Sequence, residues 1–335
     1  MKEKTTPPQD PVKAIQKIFI ERGLQALQAA EKEILFEKIE SPEVREALTY
    51  FMKKIWRDTH RPALLSLFCE AVGGKAEVTT QIANSAILMS GAAAIHDDII
   101  DGSKTKGVGP TVFGKFGKDI ALLVGDVLLF KGLTILLQAV GNNISAEKLS
   151  EILNITKRTF FELGDAEALE LHFRGKIDIT PAEYLHVLEK KAAIVEGYAQ
   201  IGVILGNGSK EEFENISKYG KVLGMLIMLR DELIDMIDAE EARHRIERES
   251  PPLPVIYALQ NKKIKSSIAP LLLKKKLTKR DVEFVKQSTL KTNGIRCCQE
   301  LMEKLADEAY TCLERVKFKK EDLRILVDAV ISLET

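Results

Sequence analysis

The chain has 335 residues, 45% of them hydrophobic, with 49 basic and 49 acidic residues and a formal net charge of zero. That balance argues against nucleic acid as the main partner, while the apolar content is enough for a large core. No low-complexity linker divides the sequence, so a single domain over residues 1–335 is expected.

In chain order, Met1 to Pro11 is polar and proline-containing and reads as a disordered tail, not a signal peptide. Helix signals then recur and strand signals do not. Ser41-Pro42-Glu43 has the form of a helix start. Thr180-Pro181-Ala182-Glu183, Ser209-Lys210-Glu211-Glu212 and Thr278-Lys279-Arg280-Asp281 repeat it, each with an acidic residue three places after the cap. Long segments of helical apolar periodicity follow, which predicts an all-α bundle of ten or more helices around a central cavity.

The segment Ile95-His96-Asp97-Asp98-Ile99-Ile100-Asp101 closes an apolar stretch that begins at Ala83. On a helix, Asp97 and Asp101 share one face with Asp98 beside them. Carboxylates that close on a largely buried wall repel, so either one holds a proton or cations neutralise them. An all-carboxylate set suits Mg²⁺ shared with phosphates. The plain alternative is a solvated acidic helix end, which the apolar flanks argue against.

Ile120 to Val140 has the length of a membrane span but contains Asp126 and Lys131. It is read as a core helix, and no transmembrane segment is expected. Further on, Asp231, Asp235 and Asp238 follow i, i+4, i+7 spacing after the apolar run Val222 to Leu229, with Glu232 at the edge of the stripe. Facing each other, two such acidic patches would hold Mg²⁺ around a diphosphate and favour ionisation of a carbon–oxygen bond. The basic stretch Lys262 to Lys279 lacks interleaved aromatics and reads as a solvated face or a loop near the site's mouth. Cys69, Cys297, Cys298 and Cys312 have no metal spacing and read as reduced thiols in a cytoplasmic protein.

Together these motifs resemble the trans-isoprenyl diphosphate synthases (all-α polyprenyl synthetases), over roughly residues 40 to 260 and on toward the end. Asp97, Asp98 and Asp101 match the family's DDxxD motif in full. Gly109-Pro110-Thr111, Phe116-Gly117 and Gly125-Asp126 keep the register that follows it. Gly220, Gly224 and Arg230-Asp231-Glu232-Leu233-Ile234-Asp235 match the helix of the second motif, with Glu232 where Asp is usual. Arg61-Pro62 matches the end of GGKRxRP.

The resemblance implies that an allylic prenyl diphosphate is held through Mg²⁺ by both acidic motifs. The implied metal residues are Asp97, Asp98, Asp101, Asp231 and Asp235, and the implied catalytic set is Asp97, Asp98, Asp101, Asp231 and Lys191. Lys106, in place of an arginine, and Lys191 would grip the diphosphate, with Arg57, His60, Arg61 and Arg230 as further substrate-binding groups. The pocket for the second substrate, isopentenyl diphosphate, departs from the pattern. Asp58 and Thr59 replace a Lys and an Arg, Ser90 a His, Gly107 an Arg and Met228 a Gln. Losing three or four charge-assisted contacts of roughly 1.5–3 kcal/mol each would remove most affinity for a metal-free diphosphate. Arg57, His60 and the run Arg243, His244, Arg245 and Arg248 are the nearby substitutes.

Three functions follow from this. The first is chain elongation to a trans-polyprenyl diphosphate. The second is a class I terpene cyclase or lyase on the same scaffold. The third is a non-catalytic subunit of a heteromer; family members usually pair, so a homodimer or a heteromer with a related subunit is expected. Ala83, Ala86, Ser90, Ala92 and Ala93 precede the first motif and leave its helix without a bulky floor for about four turns, roughly 20 Å. That predicts a tunnel for a C20 or longer chain; close helix packing through small residues is the alternative. Phe113, Phe116, Phe160 and Phe161 are candidate ring faces for a cation.

Overall fold

Helix caps set the frame of the fold. Asp10 Oδ1 accepts from the Lys13 backbone N–H at 3.0 Å, and Pro11 takes the first position of α1 (Pro11–Leu35). The computed structural model describes residues 10–107, 109–140 and 144–332. Residues 1–9 of the expected disordered tail lie outside the described residues. At Asp10 and Pro11 the expectation is corrected, because the cap and the proline commit both to α1.

Ser41 caps α2 (Pro42–Tyr50), which runs into a π-helical turn at Phe51–Ile55. The central helices α3 (His60–Ala71) and α4 (Thr80–Ile100) follow. A short hairpin then pairs β1 (Thr105–Lys106) with β2 (Gly109–Pro110), Lys106 opposite Gly109. Its turn uses Gly107 at φ +56°, a left-handed conformation that glycine adopts without strain. The next helices are α5 (Val112–Phe116), α6 (Lys118–Leu137), α7 (Ala146–Phe173), α8 (Pro181–Lys191), α9 (Ala193–Leu205) and α10 (Lys210–Ile237). After them come α11 (Ala239–Arg248), α12 (Leu253–Ala258), α13 (Lys262–Leu272), α14 (Lys279–Leu290), α15 (Gly294–Leu313) and α16 (Lys320–Ile331). Thr180, Ser209 and Thr278 each close a full capping box with the acidic residue three places on. The all-α expectation holds.

Two glycines let helices approach closely enough to build the site. A Cβ at Gly132 of α6 would lie 2.6 Å from Met89 Cγ and 2.9 Å from Ser85 O, so α6 sits tight against α4. A Cβ at Gly224 of α10 would lie 2.7 Å from Ala192 O, at the break between α8 and α9. The second approach brings Lys191 and Asp231 to one cleft. Apolar side chains seal the bundle in three clusters, centred on Phe68 and Leu226, on Ile87 and Leu128, and on Ile268 and Val285.

The reading of Ile120 to Val140 as a plain core helix needs correction. Val124, Leu128 and Ile135 of α6 are buried, but Leu122, Leu123, Leu133 and Leu137 are open and Phe130 is 73% exposed. Both α6 and the stretch ending in α4 are long and apolar enough to cross a membrane by length and composition. The basic stretch is an amphipathic surface helix, α13, which buries Ile268 and Leu272 and leaves Lys262 and Lys263 in solvent. All four cysteines are free.

Candidate active site

The ends of α4 and α10 face each other across a polar cleft of about 370 Å³. Asp97 and Asp101 line one side and Asp231 and Asp235 the other, with Lys106, Arg174 and Lys191 between them. The hairpin places Lys106 Nζ 2.8 Å from Asp98 Oδ1 and 3.4 Å from Asp97 Oδ2. Asp98 lies behind its neighbours, only 7% exposed. Arg174, at the end of α7, donates to Asp101 Oδ1 at 2.9 Å and to Ile100 O at 3.2 Å. Lys191 pairs with Glu167 at 3.1 Å and with Glu170.

Burial and crowding shape the charges. Burial, with Asp97, Glu249 and Glu167 nearby, pushes Asp101 up to about 7. Burial and Glu232 push Asp235 up to about 7 against the pull of Arg245, and Asp231 up to about 6 against Arg230. Burial also raises Glu170, but Lys191 and Arg245 override it and hold that carboxyl at about 2. Burial disfavours the Lys106 charge, yet Asp97 and Asp98 outweigh it and keep the ammonium above the usual lysine range.

The donor set is all carboxylate oxygen, which fits a hard divalent cation. Among the described residues no three acidic, His or Cys groups converge closely enough to cage an ion unaided. Such a cation commonly completes its coordination with phosphate oxygens and water. Protons compete for the same oxygens. Cation affinity is expected to rise from pH 5.5 to about 7.5 and then level off, as Asp231, Asp101 and Asp235 lose their protons, by roughly tenfold per pH unit for each proton released. Calorimetric titration of Mg²⁺ with inorganic pyrophosphate checks this, and a pH-independent affinity would contradict it.

Two acids of the second motif are spent elsewhere. Glu232, 4% exposed, accepts from Tyr184 Oη at 2.9 Å, Arg245 Nη2 at 3.1 Å and Leu253 N at 2.6 Å. Its extra methylene reaches into the core instead of the cleft. Asp238, expected on the same stripe, caps α11 by accepting from Glu240 N and Glu241 N at 2.8 and 3.0 Å.

The basic cluster at Arg243 to Arg248 is corrected too. Arg245 is 6% exposed and binds Glu232, Glu249, Asp235 and Glu170. His244 Nε2 stands 3.3 Å from Glu249 and 3.1 Å from Ser103 Oγ. A guanidinium held by four carboxylates is not free for a phosphate.

A second cavity of about 400 Å³, mostly apolar, lies between α1, α3, α9, α10 and α16. His60, Arg61, Lys191 and Arg230 line it, so Lys191 stands between both spaces. Arg57 is placed otherwise. It is exposed and donates to Lys53 O at 2.8 Å, and it lines neither space.

A third, much smaller cavity of about 50 Å³ runs along α4. Ala86 and Ser90 line it, with Met89, Phe160, Tyr198 and Ile201. Ala83 and Ala92 are 2% and 1% exposed and sit in the packed core, while half-buried Ala93 does not line the cavity. Ala92 falls on the stripe of Ser85, Met89 and His96 that α6 covers through Gly132 and Gly125. The open floor expected for four turns is therefore interrupted, by Met89 and by Tyr198 Oη, 3.2 Å from Ser90 Oγ. Of the four candidate rings, Phe160 alone lines this cavity; Phe161 is 76% exposed, and Phe113 and Phe116 carry Lys104 and Lys115 over their faces.

Sequence reasoning missed Arg174, Glu167 and Glu170. Their i, i+3, i+7 spacing on α7 was a usable signal, masked by the many other charges of that helix.

Two aspartate-bearing helices opposed across a polar cleft, with apolar cavities beneath, in an all-α bundle: this is the isoprenoid-synthase type of fold. The chain belongs to the polyprenyl synthetase family, whose profile matches residues 42–288. It is 31% identical to the short chain isoprenyl diphosphate synthase of Methanothermobacter thermautotrophicus over 54% of this chain and 55% of that one. It is 32% identical to the geranylgeranyl diphosphate synthase of Methanosarcina mazei over 56% of this chain and 57% of that one. The chain thus spans just over half the length of these curated relatives. Its fold matches geranylgeranyl pyrophosphate synthetase from Pyrococcus horikoshii with a TM-score of 0.83 at 23% identity, over 95% of this chain and 99% of that one. Heptaprenyl diphosphate synthase from Staphylococcus aureus gives 0.81 at 20% identity, over 95% and 99%.

Proposed function

We propose that the protein is a Mg²⁺-dependent prenyltransferase that condenses an allylic prenyl diphosphate with isopentenyl diphosphate to a trans-polyprenyl diphosphate of C20 or longer. One observation carries this reading: Lys191 joins a polar cleft faced by both acidic motifs to a large apolar cavity. The names of the relatives agree with it.

Asp97, Asp98, Asp101, Asp231 and Asp235 would hold Mg²⁺, which when bound neutralises the diphosphate and makes it a leaving group. Lys106, Arg174 and Lys191 orient the allylic diphosphate and stabilise the charge that grows on it as the carbon–oxygen bond breaks. The electron pair leaves with diphosphate. The alkene of the second substrate then forms the new carbon–carbon bond, and the proton it loses goes to the released diphosphate. Ile82, Ala86, Met89, Phe160 and Ile201 keep water from the allylic cation.

The test is purified protein with Mg²⁺ and an allylic diphosphate, with and without isopentenyl diphosphate. Elongation only with isopentenyl diphosphate supports the reading. Hydrocarbon or alcohol formed without it selects a lyase, and turnover only with a second chain selects a heteromer subunit.

Ala86→Phe is expected to fill the cavity along α4 and shorten the product by at least one five-carbon unit. An unchanged product distribution on chromatography would remove that cavity from the growth path. The open apolar face of α6 supports pairing with a second copy. Phe130→Glu should shift a dimer toward monomer in sedimentation velocity, and an unaltered dimer would place the interface elsewhere.

A further inference from the structure

The large cavity beside α1 and α16 has Arg61 in its wall, but that arginine is already taken. Arg61 Nη1 lies 3.1 Å from Asp58 Oδ2, and its guanidinium sits over Trp56 at 5.6 Å from the ring centre. It also meets the Tyr198 hydroxyl, which in turn contacts Ser90. Asp58 is 5% exposed, and its Oδ1 accepts from Arg61 N at 3.2 Å, so the start of α3 fixes the carboxylate in place. His60 Nδ1 stands 3.8 Å from the same side chain. Lys191, at the cavity's other end, is ion-paired with Glu167 and Glu170 and also faces the cleft. Arg230, by contrast, keeps a buried Nε without a hydrogen-bond partner. A wall with two basic groups matched by internal acids offers a doubly charged ligand little net attraction.

We propose that Asp58 is a built-in counter-ion that withholds Arg61 from anionic ligands and so weakens the cavity's grip on a metal-free diphosphate. The inference rests on the function proposed above and adds to it that isopentenyl diphosphate occupies this cavity. Asp58 makes the second substrate the weakly bound one and favours occupancy by apolar chain over occupancy by charge. Releasing one charge-assisted contact corresponds to roughly ten- to a hundredfold in affinity.

The experiment uses Asp58→Asn, which matches the shape and keeps an oxygen to cap α3. Calorimetric titration with inorganic pyrophosphate in excess EDTA should show at least tenfold tighter binding by the variant than by the wild type. Adding Arg61→Gln should cancel the gain. Equal affinity, or no binding by the variant, overturns the proposal; a carboxylate that only caps its helix would give no gain. Should Asp58→Asn not fold, Asp58→Ser retains a capping oxygen and takes its place. In turnover, the KM for isopentenyl diphosphate should fall by the same factor while that for the allylic diphosphate stays put. If none of the proteins turns over with Mg²⁺, the prenyltransferase reading fails, and the pyrophosphate titration still decides the role of Asp58.

Discussion

Under the proposed function, replacing Asp97 and Asp98 together with alanine is expected to lower Mg²⁺-dependent release of diphosphate by about a thousandfold or more. Both carboxylates stand on the last turn of α4, and Asp98 is nearly buried with burial and Asp97 pushing its pKa up. Lys106 is the cation that offsets them in the protein alone. The double variant keeps the cationic groups and loses the acids that would hold metal, so loss of the Lys106, Arg174 and Lys191 contacts to the diphosphate cannot explain the failure. The fold should survive, since removing two crowded carboxylates relieves repulsion at the end of α4. Release of inorganic diphosphate is the measurement, and activity retained within tenfold would sink the assignment.

Replacing Arg245 with methionine is the second large effect. Arg245 is fully enclosed and neutralises Glu232, Glu170, Glu249 and Asp235 at once. Removing one partner of a buried charge network costs about 3–5 kcal/mol, which for a chain of this size lowers the melting temperature by roughly 4–7 °C. The direction with pH follows from linkage. Glu170 is now held at about 2 by Lys191 and Arg245 against the effect of burial, and Glu249 is held low by His244 and Arg245. Groups with lowered pKa values stabilise the wild type above their unfolded values and lose that contribution as pH falls. Without Arg245 the same acids favour the protonated form, so the variant gains as pH falls. The gap in thermal stability between the two proteins should therefore be wide at pH 7.5 and narrower at pH 5. A gap that is equal at both, or absent, would mean that the network contributes packing and not charge.

Much of the bundle was legible in the chain because its signals are local. Thr180, Ser209 and Thr278 each carry their capping partner three residues on, and each starts a helix as read. The first acidic motif was legible for a similar reason, since Asp97 and Asp101 share a face by helical periodicity alone. Glu232 was harder to place. Its neighbours in sequence put it on an acidic stripe, yet Tyr184, Arg245 and the Leu253 backbone, from three other elements, draw it inward. The small residues before the first motif were ambiguous in the same way. Ala86 and Ala92 look alike in a sequence, and only the course of α6 covers one and leaves the other beside a cavity.

The sequence by itself determined the helices, their starts, the two acidic motifs and the family, because each depends on residues within a few turns of one another. The tertiary structure decided which charges are free. Arg245 reads as an available cation until Glu170 and Glu232, on other helices, are brought against it. Ionic interactions act through space over a few ångströms, and sequence separation carries no record of that distance.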